Sequence, residues 1–213
     1  GYAHVTWIKK VQKALERSHL PTPDQRVEIF SAAVDRFTAA GYEHIGMDHF
    51  ALSDDLLAKA RREGTLRRNF MGYTTHSGTE ILGFGASAIS TTAEAFAQNV
   101  KDPQLYQELV AKTGFATERG LLRSRDDMVR AAAIEAILCA GALHYQQFSL
   151  AWNIDAKSYF ANEIIALAVF ETDELVVCDD SGIVLTEVGR IFARNIAAVF
   201  DAYLKKHQEK ATP

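Results

Sequence analysis

Asp48, His49 and Arg68 are the side chains whose types and positions could do chemistry in this chain of 213 residues. Asp48 and His49 follow one apolar run and Arg68 precedes another, so we expect them at strand ends, where many α/β enzymes collect polar groups. A carboxylate beside an imidazole can orient a substrate or move a proton. A guanidinium grips a carboxylate through two parallel hydrogen bonds. We therefore predict that the three side chains lie on the substrate side of a cavity.

The same segment allows plainer interpretations, which the sequence leaves open. Asp48 could instead accept backbone N–H bonds and stabilise its loop. His44 and His49 are metal-ligand types, but histidines five apart in a strand point to opposite faces unless the backbone turns between them. Of the two arginines Arg67 and Arg68, the first better fits an exposed strand start. We predict no metal site.

A glycine-containing run follows, in which Gly83-x-Gly85-x-x-Ala88 matches a dinucleotide-binding pattern only as text. A true fingerprint opens a helix and is followed about 20 residues later by an acidic residue at a strand end, and Glu94 comes too soon. We expect the glycines to let the backbone approach a ligand or a packed neighbour, with Ile89 presenting an apolar side chain to the cavity.

The only cysteines are Cys139, in an apolar helical pattern, and Cys178, at the end of a strand-like run. They do not have the spacing of a metal site, and we interpret both as thiols of the core. Two cysteines cannot supply the three thiolates of an iron–sulfur cluster.

Composition and charge favour a soluble globular chain. Hydrophobic residues make up 48% of the sequence, charged residues make up 23%, and the net charge is −4. No apolar run approaches the roughly 20 residues that cross a bilayer, so we expect no membrane partner and a cytoplasmic location. The negative balance argues against a nucleic-acid partner, because phosphate binding needs excess positive charge.

Strand and helix patterns alternate in residues 1–100, which we predict to be the first domain. Gly1 to Trp7 begins in mid-strand, so we expect the chain to be part of a longer protein. A helix is expected after Asp24, taken as its N-cap, with its stop at Gly41. Tyr42 to Gly46 is expected as a buried strand, and strand, helix, strand is the unit of a parallel sheet or barrel.

Two shorter patterns complete this half. A helix is expected to begin at Asp55 or the residue before it and to end at Gly64. Strand-like runs from Asn69 to Tyr73 and from Glu80 to Gly85 predict a β-hairpin.

Residues 101–213 are predicted to form a second, mainly helical domain. One helix is expected to begin at Ser124 or Arg125 and another to cover Ala156 to Phe170. Leu175 to Leu185 predicts a β-hairpin, and Thr186 is expected to begin a last helix. This is the element order of a winged-helix domain.

A winged helix raises a DNA-binding hypothesis, which the local charge opposes. From Ser124 to Pro213 the sequence has 8 Lys plus Arg against 13 Asp plus Glu, and the presumed recognition helix offers only Lys157. Since phosphate neutralisation is the main source of such affinity, a cover or interaction module is favoured.

Seven runs carry a family resemblance: Leu20-Pro21, Tyr42 to Ala51, Arg68 to Thr75, Gly83 to Ser90, Gln98-Asn99, Asp126-Asp127, and Thr186 to Leu204 with its Gly189-Arg190 and Arg194-Asn195-Ile196. In order and spacing they resemble the oxygen-independent coproporphyrinogen III oxidases, radical S-adenosylmethionine enzymes of heme biosynthesis. The resemblance covers essentially the whole chain and roughly the C-terminal half of the family's length. Heme-chaperone members differ where this chain has Gly-Met-Asp-His-Phe and Asn-Phe-x-Gly-Tyr-Thr-Thr.

The resemblance implies an α/β fold, in which the remnant of a partial TIM-type barrel precedes the winged-helix-like domain. It also implies that the complete protein oxidatively decarboxylates two propionates of coproporphyrinogen III to vinyl groups, giving protoporphyrinogen IX. In the family, a 4Fe-4S cluster cleaves S-adenosylmethionine and the resulting radical abstracts a propionate hydrogen. Matched positions imply S-adenosylmethionine contacts at Ala3, through its backbone, and at Ile89.

The cluster cysteines would lie upstream of Gly1, so this part alone would be inactive. The implied partners are the remainder of the same polypeptide and an unidentified electron donor. The chain departs from the family at Ala131, where a second arginine commonly follows Arg130, and any role of an arginine pair there is in doubt. A heme-binding or heme-transfer relative and a winged-helix interaction module stay open as alternatives.

Overall fold

The computed structural model describes residues 10–17, 20–78 and 80–204, so the predicted strand Gly1 to Trp7 and the predicted contact Ala3 lie outside the described residues. A 3-10 helix covers Lys10–Arg17. The α-helices are α1 (Pro23–Ala39), α2 (Leu56–Arg62), α3 (Pro103–Thr113), α4 (Arg125–Cys139), α5 (Tyr145–Trp152), α6 (Ala156–Tyr159), α7 (Ala161–Ala166), α8 (Ala168–Thr172) and α9 (Ala193–Ala198). The strands are β1 (Tyr42–Gly46), β2 (His49–Leu52), β3 (Arg67–Asn69), β4 (Gly72–Thr74), β5 (Ile89–Thr91), β6 (Ala95–Asn99), β7 (Thr117–Leu122), β8 (Ala142–His144), β9 (Val176–Cys178) and β10 (Gly182–Leu185).

The N-cap of α1 is Thr22, so the predicted cap Asp24 is wrong by two residues. The Thr22 hydroxyl accepts a hydrogen bond from the Gln25 N–H at 3.2 Å, and the Gln25 side chain accepts from the Thr22 N–H at 3.0 Å. Pro23 occupies the first helical position, where its missing N–H leaves nothing unpaired. Asp24 stands in the first turn, where the helix dipole favours a negative charge.

β1 and β2 form an antiparallel hairpin, whereas the sequence predicted β1 as a buried strand of a parallel sheet or barrel. Tyr42 pairs with Leu52 and His44 pairs with Phe50. Only two residues connect the strands, and a parallel pair would need a crossover of a dozen or more. Ile45 is the one residue of β1 that is buried. All pairings between the described strands are antiparallel, and the partial barrel stays a prediction.

The start and the end predicted for α2 are confirmed. Asp55 caps the helix by accepting a hydrogen bond from the Leu57 N–H at 2.7 Å. Gly64 follows the last turn with φ +68°, a conformation that glycine adopts without strain.

The hairpin predicted between Asn69–Tyr73 and Glu80–Gly85 is wrong. β3 pairs instead with β4, because the Asn69 side chain folds the backbone into a tight turn by accepting hydrogen bonds from the Met71 and Gly72 N–H groups at 2.8 and 3.2 Å. In the segment from Glu80 to Gly85 only Ile81 bridges to a strand.

A three-stranded sheet in the order β5-β6-β7 crosses the predicted domain boundary near residue 100. β6 precedes that boundary and β7 follows it, and the two pair through five residues. The division at residue 100 stays a prediction.

The main core lies among α4, α9 and the three-stranded sheet in the order β8-β10-β9. The predicted start at Ser124 is confirmed, since its side chain accepts from the Asp127 N–H in a capping box. The β9–β10 hairpin is also confirmed. The single helix predicted from Ala156 to Phe170 is divided into α6, α7 and α8, and the last helix, predicted from Thr186, begins only at Ala193.

Arg130 ties α4 to α7 and to the chain after α9. Its guanidinium donates to Asp126 Oδ2 at 2.9 Å, to Glu163 Oε1 at 3.0 Å and to the Phe200 carbonyl at 3.3 Å. Glu163 is buried, so this pairing removes the cost of an isolated charge. The Arg130 guanidinium is therefore bound by three groups of the protein, although the next residue is Ala131 and not a second arginine.

Candidate functional site

Tyr73 on β4 is the side chain around which the predicted substrate-side residues gather. The His49 ring meets it edge to face, with 5.1 Å between ring centroids. Arg68, its partner in the β3–β4 register, places Cζ 5.6 Å from the centroid of the Tyr73 ring. The Tyr73 hydroxyl donates to the Leu138 carbonyl of α4 at 3.0 Å, so α4 fixes the ring that contacts both His49 and Arg68.

Two glycines leave the room that this arrangement needs. A Cβ at Gly46 would lie 2.3 Å from the Tyr73 hydroxyl oxygen, and one at Gly72 would lie 3.3 Å from His49 Nε2. Burial raises the pKa of Tyr73 to about 12, so its hydroxyl stays protonated and remains a donor at neutral pH.

Asp48 lies just past β1 and His49 begins β2, with 3.1 Å between Asp48 Oδ1 and His49 Nδ1. Burial raises the pKa of Asp48, but a bond from its own backbone N–H and the nearby imidazole outweigh that effect and hold the pKa below its usual value. Asp48 thus accepts a hydrogen bond from backbone, as expected if it stabilises its loop, and it also faces His49.

Arg68 keeps donor capacity that the described residues do not use. Its Nη1 donates to the Asn69 carbonyl at 3.2 Å, but its Nε is buried without a hydrogen-bond partner among them. A buried guanidinium donor without a partner is costly, and a carboxylate would satisfy it. Arg67, on the same strand, is half-buried and donates to the Leu66 carbonyl.

Ile89 lies apart from Tyr73, in a cavity of about 410 Å³ on the sheet β5-β6-β7. Phe70 and Phe96 give the cavity apolar walls, and Asn69 places it beside the hairpin that carries Arg68. Thr91 also lines it, and its hydroxyl is buried without a hydrogen-bond partner among the described residues.

Of the two glycines near Ile89, Gly83 and Gly85, only Gly83 shows the predicted close approach of the backbone to a packed neighbour. A Cβ at Gly83 would lie 2.6 Å from the Ile89 carbonyl oxygen, so this glycine allows a close backbone approach. Gly85 has open space around it and φ +105°, so its backbone conformation is what favours glycine there.

His44 is separated from His49 by the hairpin turn and takes a different environment. Its Nε2 donates to the Met47 carbonyl at 2.7 Å, and its ring stacks on Phe50 with 4.9 Å between centroids. A carbonyl only accepts, so Nε2 must carry the proton. Within residues 10–17, 20–78 and 80–204, no three His, Cys, Asp or Glu side chains are grouped to hold a metal ion.

The two cysteines are buried or half-buried, as predicted for core thiols. Burial raises the pKa of Cys139 to about 12 and that of Cys178 to about 11, so both stay protonated at neutral pH.

His44 makes stability depend on pH. Burial lowers its pKa; the Met47 carbonyl opposes this, and the charges of Arg61 and Arg190 lower it further. Because the unfolded ring then binds protons more readily, His44 contributes stability that is complete above about pH 6.5 and is lost as the pH falls towards the lower folded value.

We therefore expect His44→Gln to flatten the fall in the free energy of unfolding between about pH 7.5 and pH 5, since glutamine keeps a donor for Met47 but does not titrate. Urea unfolding at a series of pH values measures this. His76→Gln, at an exposed position, should keep the wild-type dependence. Identical pH profiles for His44→Gln and the wild type would contradict the assignment.

Sequence reasoning missed the convergence on Tyr73 and a group of cations near His44. Arg61 and Arg190 line one narrow cleft with His44, and Arg194 reaches Met47 in the adjacent turn. Arg190 and Arg194 drew attention only as part of the family resemblance. Their separation from Arg61 along the chain gave no spacing signal.

Comparisons with known proteins agree with the resemblance. No protein-family model matches the chain. The chain is 41% identical over 206 residues to the oxygen-independent coproporphyrinogen III oxidase of Escherichia coli, covering 97% of the chain and 45% of that protein. It is 39% identical to the protein of the same name from Synechocystis, covering 99% of the chain and 46% of the relative.

A relative in Thermostichus vulcanus with that name is 36% identical, and the match covers 64% of its length. A solved structure of coproporphyrinogen III oxidase (HemN) from Escherichia coli, described as a radical SAM enzyme, superposes with a TM-score of 0.89. That match has 41% identity and covers 95% of this chain and 46% of the other. The chain spans less than half the length of the first two relatives, and it corresponds in sequence and structure to the C-terminal part of the oxygen-independent coproporphyrinogen III oxidases.

Proposed function

We propose that the complete protein is an oxygen-independent coproporphyrinogen III oxidase of heme biosynthesis. It converts two propionates of coproporphyrinogen III to vinyl groups and yields protoporphyrinogen IX. Each conversion releases carbon dioxide, a proton and two electrons from one propionate. The observation that carries the proposal is 41% identity to a protein of that name over 97% of the chain.

The residues of this chain do not fit the iron–sulfur cluster of a radical S-adenosylmethionine enzyme. Cys139 packs against Ile45 and Ala51, and Cys178 packs against the separate main core. Their raised pKa values disfavour the thiolates that a cluster needs. We infer that the cluster ligands belong to the remainder of the same polypeptide.

The cavity beside Ile89 does fit part of S-adenosylmethionine, which when bound supplies the radical chemistry of such enzymes. The apolar wall of Ile89 and Phe96 suits an adenine ring, and the orphaned Thr91 hydroxyl could bond a polar atom of the ligand. The match implied for Ile89 thus has support from this cavity, while Ala3 stays a prediction.

On the substrate side, Arg68 holds a propionate and Asp48 with His49 orients a pyrrole or conducts a proton. The unused Nε donor of Arg68 supports the first role. The close contact of Asp48 with His49 lies beside the same tyrosine, which supports a shared site. The role of each residue in catalysis is a prediction.

An apolar groove supports the remainder of the polypeptide as a partner. α1 has no buried residue, and Phe30 and Phe37 line a groove of about 830 Å³ between this helix and the β1–β2 hairpin. The curated relatives are about twice as long as the chain, so the rest of the protein is the natural cover for this surface.

The test is anaerobic turnover. The complete polypeptide, reconstituted with iron and sulfide and supplied with S-adenosylmethionine and a chemical reductant, should convert coproporphyrinogen III to protoporphyrinogen IX. Residues 1–213 alone should bind no cluster and give no product. Stoichiometric heme binding by the complete protein without turnover would contradict the proposal and favour a heme-binding relative.

A winged-helix interaction module is a second candidate, supported by the order α4, β8, α5 to α8, β9, β10 and α9. Ile165 and Val169 are 73% and 59% exposed and give this unit an apolar outer face. Lys157 forms an ion pair with Asp180, so the only cation of the presumed recognition helix is engaged. We infer a cover or protein-interaction role and no nucleic-acid partner.

No helix in residues 10–17, 20–78 and 80–204 has the length and apolar character needed to span a membrane.

A further inference from the structure

Two arginines from distant parts of the chain meet at a narrow cleft. Arg61 comes from α2 and Arg190 from the turns between β10 and α9. His44 and Gly46 of β1 also line the cleft, and the rest of its wall is apolar, formed by Ile45, Ile137, Leu138, Leu185 and Ala193. The cleft has a volume of about 10 Å³. That is close to the space that one water molecule needs, so a larger group would have to meet the two guanidinium groups at the mouth of the cleft.

Arg190 is held in place but not satisfied. A Cβ at Gly141 would lie 2.7 Å from its Nη1, so the guanidinium packs directly against this glycine. Its Nε is buried and has no hydrogen-bond partner among the described residues. The nearest acid, Glu187, lies 3.8 Å away with a side chain that is 95% exposed, which is too far for a hydrogen bond and leaves a weak ion pair.

Arg61 adds a positive charge on the other side that nearby acids compensate only in part. Its side chain makes no hydrogen bond within the part of the chain that the structure describes. Burial lowers the pKa of its guanidinium, and the like charge of Arg190 lowers it further, against the opposing effects of Glu187 and Glu43. Glu43 is engaged by the neighbouring Arg62. The cleft therefore concentrates positive charge in a place partly shielded from water.

A third cation stands next to the cleft. Arg194 is exposed, and its Nη2 lies 3.5 Å from Met47 Sδ, a weak acceptor that leaves the guanidinium open to a stronger one. Met47 directly follows Gly46, which lines the cleft and lies under the hydroxyl of Tyr73. The cations are thus continuous with the substrate-side cluster around Tyr73.

We propose that Arg61 and Arg190, with Arg194 beside them, form a carboxylate-binding site. A carboxylate presents two oxygens on a flat group, matches the planar fork of a guanidinium, and would satisfy the orphaned Arg190 donor while it cancels the repulsion between the arginines. Two sources share this chemistry. One is a second propionate of the substrate, which rests on the proposed function, and the other is a carboxylate from elsewhere.

The first arm of the test uses sodium propionate and needs no turnover. In the complete polypeptide, propionate should raise the melting temperature of the wild type and of Lys59→Gln, which removes one exposed charge from the same helix α2. Arg61→Gln and Arg190→Gln should lose the shift. Without propionate both variants should melt at or above the wild-type temperature, because they relieve repulsion, whereas a purely structural role predicts lower melting.

The second arm measures the binding of coproporphyrinogen III, and it separates the two sources. If the substrate supplies the carboxylate, Arg61→Gln and Arg190→Gln should raise its Kd about tenfold and Lys59→Gln should not. Loss of the propionate shift with an unchanged Kd would support the site and assign it to another carboxylate. A full propionate shift in both arginine variants would overturn the site, even if the wild type turns over coproporphyrinogen III. Failure of the wild type to bind or convert coproporphyrinogen III would count against the proposed function alone.

Discussion

Replacing Gly189 by alanine is expected to destabilise the C-terminal core by more than about 3 kcal/mol, because the new methyl group would collide with backbone that cannot rotate away. A Cβ at Gly189 would lie 1.7 Å from the Leu175 carbonyl oxygen and 3.2 Å from the Thr186 nitrogen. The same carbonyl accepts a hydrogen bond from the Thr186 N–H at 3.1 Å, so relieving the clash also breaks this turn. Gly189 in turn donates its N–H to the Thr186 hydroxyl at 3.0 Å.

The effect is measured by urea unfolding of the complete polypeptide, with circular dichroism as the signal. Val188→Ala is the matched control, since Val188 is exposed beside the same turn and its truncation should change the free energy of unfolding by less than about 0.5 kcal/mol. An unchanged unfolding midpoint for Gly189→Ala would show that the turn can open without cost, contrary to the packing argument.

Features set by neighbours in the sequence could be predicted. The caps at Asp55 and Ser124 depend on a side-chain oxygen that reaches an N–H group two or three residues later. The hairpin between β9 and β10 has the same local origin, since Asp179 Oδ1 accepts from the Ser181 and Gly182 N–H groups at 2.7 and 3.1 Å.

Features set by packing could not be predicted. The helix expected over residues 156–170 is interrupted at Phe160 and Leu167, which are fully buried in the main core. Burying both side chains decides where the helix bends, and helical periodicity contains no information about that choice. The pairing of β3 with β4 is a local feature that was nevertheless missed, because the pattern predicts one strand over residues 69–73 and the turn closed by the Asn69 side chain lies inside that run.

In the candidate site, too, single residues could be predicted from the local sequence, whereas their contacts with one another could not. Asp48, His49 and Arg68 could be singled out because each stands at the end of a strand-like run and has a suitable charge. Their meeting around Tyr73 depends on the distance between two hairpins, and the meeting of Arg61 with Arg190 depends on how α2 packs against the turns before α9. Contacts between distant segments leave no periodic signal in one sequence.

Arg68→Lys is expected to lower kcat/KM for coproporphyrinogen III about 100-fold in the complete enzyme, if Arg68 holds a propionate as proposed. Lysine keeps the charge but cannot offer the planar pair of donors, and it leaves the position of the buried Nε donor empty. Losing one charge-assisted hydrogen bond costs about 1.5–3 kcal/mol, which corresponds to roughly ten- to hundredfold in affinity.

The kinetic split tests the role more sharply than the total loss. A propionate that is held equally in the ground state and the transition state predicts that Arg68→Lys raises KM and leaves kcat nearly unchanged. Arg67→Lys is the matched control, because Arg67 lies on the same strand and donates to the Leu66 carbonyl instead of the substrate side. Equal kinetic losses in Arg68→Lys and Arg67→Lys would mean that strand β3 matters for stability only. A fall in kcat alone in Arg68→Lys would place Arg68 at the reacting atoms. With KM raised only by Arg68→Lys and melting temperatures unchanged, the guanidinium over Tyr73 is the carboxylate anchor of the substrate.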